Sequence, residues 1–530
     1  MFDLLLRNGK IVDGTGNPWY YGDVAVKDGR ITAVGRIDAE TTASRVIDLH
    51  RQYAVSPGFI DGHCHSDLMI LDNPRCEIKL RQGVTSEVVG NCGLAPSPSV
   101  PAADAMLRQY LEPVLGRYHQ QWPWPTIGRY LDAVDAVRPS GNLRTFAAHG
   151  SIRASVMGFD QRPAEPAELD RMKELLRTSM QEGAIGMSLG LIYAPGRYAD
   201  ERELVELCRV LAETGGLLSV HMRGEGAKLL PAVQEMIDLA ETTGVPLQIS
   251  HLKAAGKANW GIAADAIERI EQARSRGVDI TCDVYPYTAG ATTLTTLLPP
   301  WALAGGVTDA LERMRDASAR RRMIADMRSA GEGWDNLVVA SGWENVYISS
   351  VRTAGNKPAE GKYVLELSER RGVEPEAYVL DLLLEESGEV AIVFFLMDER
   401  EVDHVIQWAG SLVASDSLHC QTGKPHPRLF GCFPKLLARS VREQRLLTLE
   451  QAVRKITSFP AQRFRMSGRG LVQEGCVADL TIFDPDTIAD RATYDDPQQY
   501  PDGIMHVAVQ GRLTVCDGHH TGAACGIAIR

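Results

Sequence analysis

Apolar and polar positions alternate in short runs at both ends of the chain and settle into a longer rhythm between them. Over residues 2–54, "LLLRNGKIVDGTG", "GDVAVKDGRITAVG" and "SRVIDLHRQYAVSPG" read as strands cut by turn residues, with Asp28-Gly29 a hairpin turn. The tail repeats that pattern in "GCVADLTIFDP" and "HVAVQGRLTVCDG", so the two ends are expected to pair into one small all-β unit. Between them, apolar strands such as "LLSVH", "PLQISH", "VDITCDVY" and "GSLVASD" alternate with helix-patterned segments such as "DERELVELCRVLAETG" and "IAADAIERIEQARSRG". That alternation predicts a parallel α/β barrel or a doubly wound sheet. Residues from about Pro286 to Asn345, including "TTLLPPWALAGG", leave the rhythm and read as an insertion.

Polar residues gather where the strands end. In "GFIDGHCHSD", His63 and His65 are two apart, which on a strand turns both imidazoles to one side. Cys92 follows "SEVVGN", His221 ends "LLSVH", His251 ends "PLQISH" and Asp416 ends "GSLVASD". In a closed parallel barrel all these ends share one face, so residues far apart in the chain converge. Imidazole nitrogen, thiolate and carboxylate together suit a zinc-like ion with one position left for water. Read singly, each has a plainer role: a hydrogen-bonded strand-end histidine, a small buried cysteine, an aspartate N-cap in "SDS". The glycines of "GNCG" allow the close backbone approach that a loop-borne Cys92 ligand requires. His50, His119, His149, His404, His506, His519 and His520 are read as structural or surface residues, although His149 also ends a strand in "FAAHGSIR".

Composition narrows the partners. At 530 residues the chain exceeds one ordinary core, which calls for a large domain with a smaller one. A formal net charge of -12 leaves no basic surface to neutralise phosphates, which argues against nucleic acid and favours a small-molecule substrate. No apolar run approaches a membrane span, and Asp3, Arg7 and Lys10 interrupt the start too early for a secretory signal; a cytoplasmic protein with no membrane partner is expected. The 10 cysteines lack zinc-ribbon spacing and fit buried thiols in a reducing compartment. No feature of the pattern fixes an oligomeric state.

"PGFIDGHCHSD" resembles the first-strand motif of the amidohydrolase superfamily. "GNCG", "GLIYAPG", "VHMRGEG", "ISHLK", "DVYPYTAG", "SDS" and "PHPR" narrow the likeness, over nearly the whole chain, to the D-aminoacylase, or N-acyl-D-amino-acid deacylase, family. The resemblance implies an α/β fold: a (β/α)8 TIM-like barrel beside a small β-sandwich built from both chain ends. Residues 1–60 and 466–530 are then the sandwich, and 61–465 the barrel with its insertion at about 286–345.

The same resemblance implies roles. Cys92 takes the bridging position that hydantoinases give to a carboxylated lysine on the fourth strand, and "GAIGMSLGLIY" indeed offers Met187, Ser188 and Leu189 but no lysine. One zinc is tightly held by Cys92, His221 and His251, while His63 and His65 shape a second site that is weakly occupied or empty. Asp416 corresponds to the catalytic carboxylate and Tyr193 to an oxyanion stabiliser. Lys253, Tyr285 and Arg428 hold the substrate α-carboxylate. The expected reaction is hydrolysis of N-acyl-D-amino acids to a carboxylic acid and a free D-amino acid. The insertion after "DVYPY" lacks the basic residue of family members that prefer acidic substrates, so Leu294, Leu297, Leu298 and Trp301 read either as a neutral or hydrophobic side-chain pocket or as an anchor of the insertion. Ser417 stands where a glycine commonly follows the aspartate. Two other readings remain: a hydantoinase- or dihydroorotase-like cyclic amidohydrolase, and a non-catalytic barrel used as a binding module.

Overall fold

The structure is a computed structural model that describes every residue except His119, Gln121, Pro123, Glu332, Cys420, Gln421 and Thr422; the reading of His119 therefore lies outside the described residues. Eight short strands form the central element: β1 (Phe59–Asp61), β2 (Val84–Val89), β3 (Asn142–Thr145), β4 (Gly186–Gly190), β5 (Leu217–His221), β6 (Leu247–Ile249), β7 (Ile280–Val284) and β8 (Ser411–Val413). Each pairs in parallel with the next, and Ala147–Ala148 carries β3 across to β4. The ring closes just beyond the strand ends, where Ser417 and Leu418 pair with Cys64 and His65 and the Asp416 N–H donates to the His63 carbonyl at 2.7 Å. This is the barrel, not the doubly wound sheet.

Local sequence explains the helices between the strands. Glu201–Thr214 starts where the Asp200 side chain accepts the Glu203 N–H and ends at Gly215 in the left-handed region. Its Leu204, Leu207, Cys208 and Leu211 recur at helical spacing and are buried against the barrel. The lower barrel is plugged by Ile60, Val88, Phe146, Leu412 and Phe464, which leaves the polar chemistry to the strands' C-terminal ends.

Both chain ends meet in one nine-stranded sheet. Phe2–Ile11 is its branch point: Tyr20–Lys27 pairs on one side, while Ala43–Asp48 and then Ala54–Pro57 share the other. Leu480–Phe483 adds to Ala54–Pro57, and Ile504–Val509 and Arg512–Cys516 follow. Leu4, Leu6, Val24, Val26, Val55, Leu480 and Ile482 form its core. Asp28 and Gly29 turn between paired Lys27 and Arg30 with φ of 51° and 75°, the positive pair a two-residue hairpin requires.

The excursion between β7 and β8 is longer than the expected 286–345. Its three-stranded sheet pairs Ala289–Thr293 and Val346–Val351 with a central strand, Val390–Phe395. Because "VAIVFF" is as apolar as a buried barrel strand, its pattern does not distinguish the two settings. First-strand pairing with β2 begins at Phe59, just inside the segment expected for the small domain. No helix among the described residues is long and apolar enough to cross a membrane.

Candidate metal and active site

The strand ends do converge. His63 Nε2 lies 3.2 Å from Cys92 Sγ, which lies 3.7 Å from His251 Nε2. Asp416 Oδ1 is 3.3 Å from His63 Nε2 and 3.4 Å from His65 Nε2. Potential ligand atoms of His63, Cys92, His251 and Asp416 all lie within 4.8 Å of one another, and so do those of His221, Glu225 and His251. His251 thus joins two donor sets, with His63 rather than His221 in the set of Cys92. His221 stacks edge-on against His251 at a centroid distance of 4.4 Å.

Backbone strain marks the same residues. Cys92, His251 and Asp416 have φ of 55°, 36° and 47°, values that non-glycine residues adopt at a cost of about 1–3 kcal/mol each. The Cys92 loop is fitted closely: a Cβ on Gly93 would sit 2.7 Å from the Gly190 nitrogen. Ser188, on β4, accepts the Gly93 N–H at 3.0 Å and donates to the Gly90 carbonyl. The strand therefore secures the thiol's loop instead of supplying a ligand.

Two carboxylates orient the histidines. Asp283 Oδ1 lies 3.1 Å from His63 Nδ1 and accepts the His251 N–H at 2.8 Å. Glu225 Oε1 lies 3.0 Å from His251 Nδ1 and accepts from Lys253 Nζ at 2.5 Å. With Nδ1–H turned to a carboxylate, each imidazole presents Nε2 to the centre, the arrangement that metal-ligating histidines commonly have. Both carboxylates lie inside quoted motifs, "DVYPYTAG" and "VHMRGEG", yet sequence reasoning passed over them. The usable signals were a carboxylate near the end of β7 and the His221/Glu225 spacing of four.

Electrostatics suit a cation. Burial opposes ionisation of Cys92, but His63, His221 and His251 outweigh it and hold the thiol well below its ordinary value. Asp416, also opposed by burial, is held well below the carboxylate range by Arg428 and the histidines. Burial pushes His221 down, toward the neutral imidazole that ligates metal. Neither His221 nitrogen, nor His65 Nδ1, has a hydrogen-bond partner among the described residues, though all are buried. Buried nitrogens left open beside a depressed thiol are what a thiophilic, zinc-like ion would satisfy.

The residues expected to bind substrate surround this centre. Arg428 is fully buried, with NH2 3.0 Å from Asp416 Oδ2; Nε, NH1 and NH2 form no aligned hydrogen bond with any described residue. Its guanidinium carbon sits 4.4 Å over the Tyr285 ring. Lys253 and Tyr193 line the cavity, with the Tyr193 hydroxyl 3.4 Å from Thr292 Oγ1. The apolar wall differs from expectation. Leu294, Leu297 and Leu298 are buried in the main core and so anchor the insertion, and Trp301 lines another cleft. Leu94, Val114, Ile192, Leu337, Phe394 and Leu396 line the cavity instead. His149 takes no part: its Nε2 lies 2.7 Å from Glu203, which also pairs with Arg153.

The turn carrying Asp416 is clamped from behind. Lys79 Nζ donates to Asp61 Oδ2 at 2.6 Å, Ser415 Oγ at 3.0 Å and Ser417 Oγ at 2.8 Å, all buried. Asp61 also accepts the Ser415 N–H at 2.9 Å. The Ser417 hydroxyl is thus a third acceptor for a buried ammonium.

The profile of the Amidohydrolase family matches residues 45–515. An N-acyl-D-glutamate deacylase of Alcaligenes xylosoxydans xylosoxydans is 34% identical over 514 residues, 96% of this chain and 93% of that protein. A D-aminoacylase from the same organism is 33% identical, covering 99% of this chain and 97% of its own. Among solved structures, a D-aminoacylase crystal structure superposes with a TM-score of 0.84 at 32% identity over all of both chains. The N-acyl-D-glutamate deacylase of Bordetella bronchiseptica, in complex with zinc and a phosphonate mimic of the tetrahedral intermediate, gives 0.83 at 32% identity over 100% of this chain and 99% of that one. The chain belongs to the amidohydrolase family, in its D-aminoacylase and N-acyl-D-amino-acid deacylase branch.

Proposed function

We propose that the protein is a zinc-dependent hydrolase of N-acyl-D-amino acids that releases a carboxylic acid and a free D-amino acid. The observation that carries this reading is the convergence of Cys92, His251, His63 and Asp416 beside the open nitrogens of His221. Cys92, His221 and His251 would hold the principal ion, with His63 and His65 shaping a second, weakly filled position. When bound there, the ion supplies Lewis acidity, which lowers the pKa of water and polarises an amide carbonyl.

The chain's own residues supply the rest. Asp416, kept ionised by Arg428 and the histidines, takes a proton from the attacking water and returns it to the amide nitrogen, turning a poor leaving group into an amine. The Tyr193 hydroxyl, kept protonated by burial, donates to the carbonyl oxygen as negative charge develops there. Arg428, Lys253 and Tyr285 bind the α-carboxylate. Of three Lys253 donors, Glu225 engages one, which leaves the others free to turn to substrate. Carboxylate and scissile carbonyl together fix one direction for the side chain, which is how such a site selects one stereochemistry.

That direction meets an apolar wall. Leu94, Ile192, Phe394 and Leu396 are neighbours of Lys253 in the cavity, whose lining contains no other Lys or Arg among the described residues. A neutral or hydrophobic D-amino acid fits this better than the acidic one named in the glutamate deacylases. The branched nine-stranded sheet we read as the family's small β-sandwich, with the barrel spanning about 61–465. Incubating zinc-loaded protein with racemic N-acetyl amino acids tests the reading. Release of D-methionine, D-leucine or D-phenylalanine alone is expected; release of L enantiomers, or of nothing from metal-replete protein, overturns it. Cyclic amides serve as a control: without a lysine on β4, hydantoin turnover is expected to be absent.

A further inference from the structure

The loop that carries Tyr193 has two sides. Ile192 and Tyr193 line the catalytic cavity, while Leu191 and Arg197 line a separate cleft of about 740 Å³. Four arginines face that cleft, in a chain whose net charge is -12. Two are neutralised: Arg162 NH2 is 2.7 Å from Glu168 and Arg223 Nε is 2.7 Å from Glu235. Arg322 reaches Asp326 only at 3.7 Å, and that carboxylate already accepts the Trp301 indole N–H at 2.7 Å.

Arg197 is the exception. It has no carboxylate within 4.0 Å among the described residues, and its guanidinium donates only to the Ile192 carbonyl, at 3.2 Å. Burial, with the charge of Arg223 added, brings its pKa down to about 10, which is the mark of a cation lacking its counter-ion. A half-buried guanidinium in that state gains from any anion that reaches it. The cleft offers more than charge. Trp301 and Trp334 form part of its wall, the Trp334 indole N–H has no hydrogen bond with a described residue, and Arg322 stacks 4.2 Å over Trp301. Aromatic faces and an indole donor beside a guanidinium that meets no carboxylate among the described residues match a ring-bearing anion.

We propose that this cleft binds an organic anion, a carboxylate or phosphate borne on a planar ring, at Arg197 and Trp334. The site is distinct from the α-carboxylate clamp, because residues 191–198 stand between them. It is also tied to the reaction's geometry: the Arg197 N–H donates to the Tyr193 carbonyl at 2.8 Å, so the residue that meets the anion also shapes the turn holding Tyr193.

Calorimetric titration of the full-length protein with benzoate, adenosine monophosphate and inorganic phosphate tests this. Saturable binding of a ring-bearing anion is expected, undiminished in Arg428→Gln and weakened about tenfold or more in Arg197→Gln. Benzoate alone binding identifies carboxylates as the class, and the nucleotide alone identifies phosphates. Trp334→Phe, which deletes only the indole donor and part of the ring, is the milder variant and should weaken binding severalfold. The proposal fails if no probe binds saturably, if inorganic phosphate binds as tightly as the nucleotide, if Arg428→Gln abolishes binding, or if Arg197→Gln and Trp334→Phe both leave it unchanged.

Discussion

In the cluster of Lys79, Asp61, Ser66, Glu87, Ser415 and Ser417 no buried side-chain polar atom lacks a partner, whereas on the barrel's open face several find none among the described residues. Lys79, Asp61, Ser415 and Ser417 close on one another, and Ser66 donates to Glu87 at 2.5 Å beside them. A few residues away, His221, His65 and Arg428 keep open nitrogens although they are equally buried. Burying polar groups is costly in both places, and the compensation differs. In the first cluster it comes from the chain itself, so the cluster defines structure. In the second it awaits something from outside, so the cluster defines a site. The two meet at Ser415–Ser417, where a satisfied clamp holds the strained backbone of Asp416.

Substitutions that separate stability from activity test this contrast. The largest effect is expected for Asp416→Asn, which should lower kcat by about 10³-fold, as a general acid–base role implies. Lys79→Met should do the reverse in kind, costing about 3–5 kcal/mol of unfolding free energy because Asp61 is left buried and unpaired. Denaturant titration reads that loss, and Asp61→Asn in the same chain should recover part of it. A Lys79→Met protein as stable as wild type would end the view that this cluster is structural. Next, Arg428→Gln should reduce kcat/KM by about 10²-fold, mainly through KM, as loss of a charge-assisted carboxylate contact predicts. An unchanged KM would remove Arg428 from the clamp.

The smallest effect sharpens the comparison with a second buried lysine. Lys455 donates to the Trp408 and Ser411 carbonyls and to the Ser411 hydroxyl, with no carboxylate partner among the described residues, and burial brings its pKa down to about 8. Burial opposes Lys79 too, but Asp61 and Glu87 outweigh it and raise its pKa. For Lys455 the unfolded chain holds the extra proton between about pH 8 and the ordinary lysine value near 10.4. Its contribution to stability is therefore present above that upper value and falls as pH drops toward 8. Lys455→Met should flatten this alkaline slope in urea titrations at pH 8 and 10; an identical slope would refute the assignment.

Much of this was legible from residues alone. The alternation of apolar strands with amphipathic helices narrowed the fold to a barrel or a doubly wound sheet, with the family resemblance pointing to the barrel, and Asp28-Gly29 specified its hairpin, because these patterns are local. His63, His65, Cys92, His251 and Asp416 were legible for a related reason: each ends an apolar run, and a parallel barrel puts such ends together. Asp283 and Glu225 were harder to read, since a carboxylate near a strand end or four residues from a histidine is a weak signal by itself. Leu294, Leu297 and Leu298 were readable in two ways because apolarity reports burial but not which cavity, if any, a side chain borders. Val390–Phe395 shows the same limit, its apolar pattern serving equally a barrel or an added sheet.

By itself, then, the sequence determined the elements, their order and the ligand types at strand ends, all properties of short segments or of their period. Tertiary structure decided the rest: that His63 stands nearest Cys92 while His221 pairs with His251 and Glu225, that Phe394 and Leu396 rather than the neighbouring leucines wall the cavity, and that Lys79 secures the Asp416 turn. These are distances between side chains remote in the chain. They depend on how strands twist, loops close and cores fill, and no local pattern encodes them.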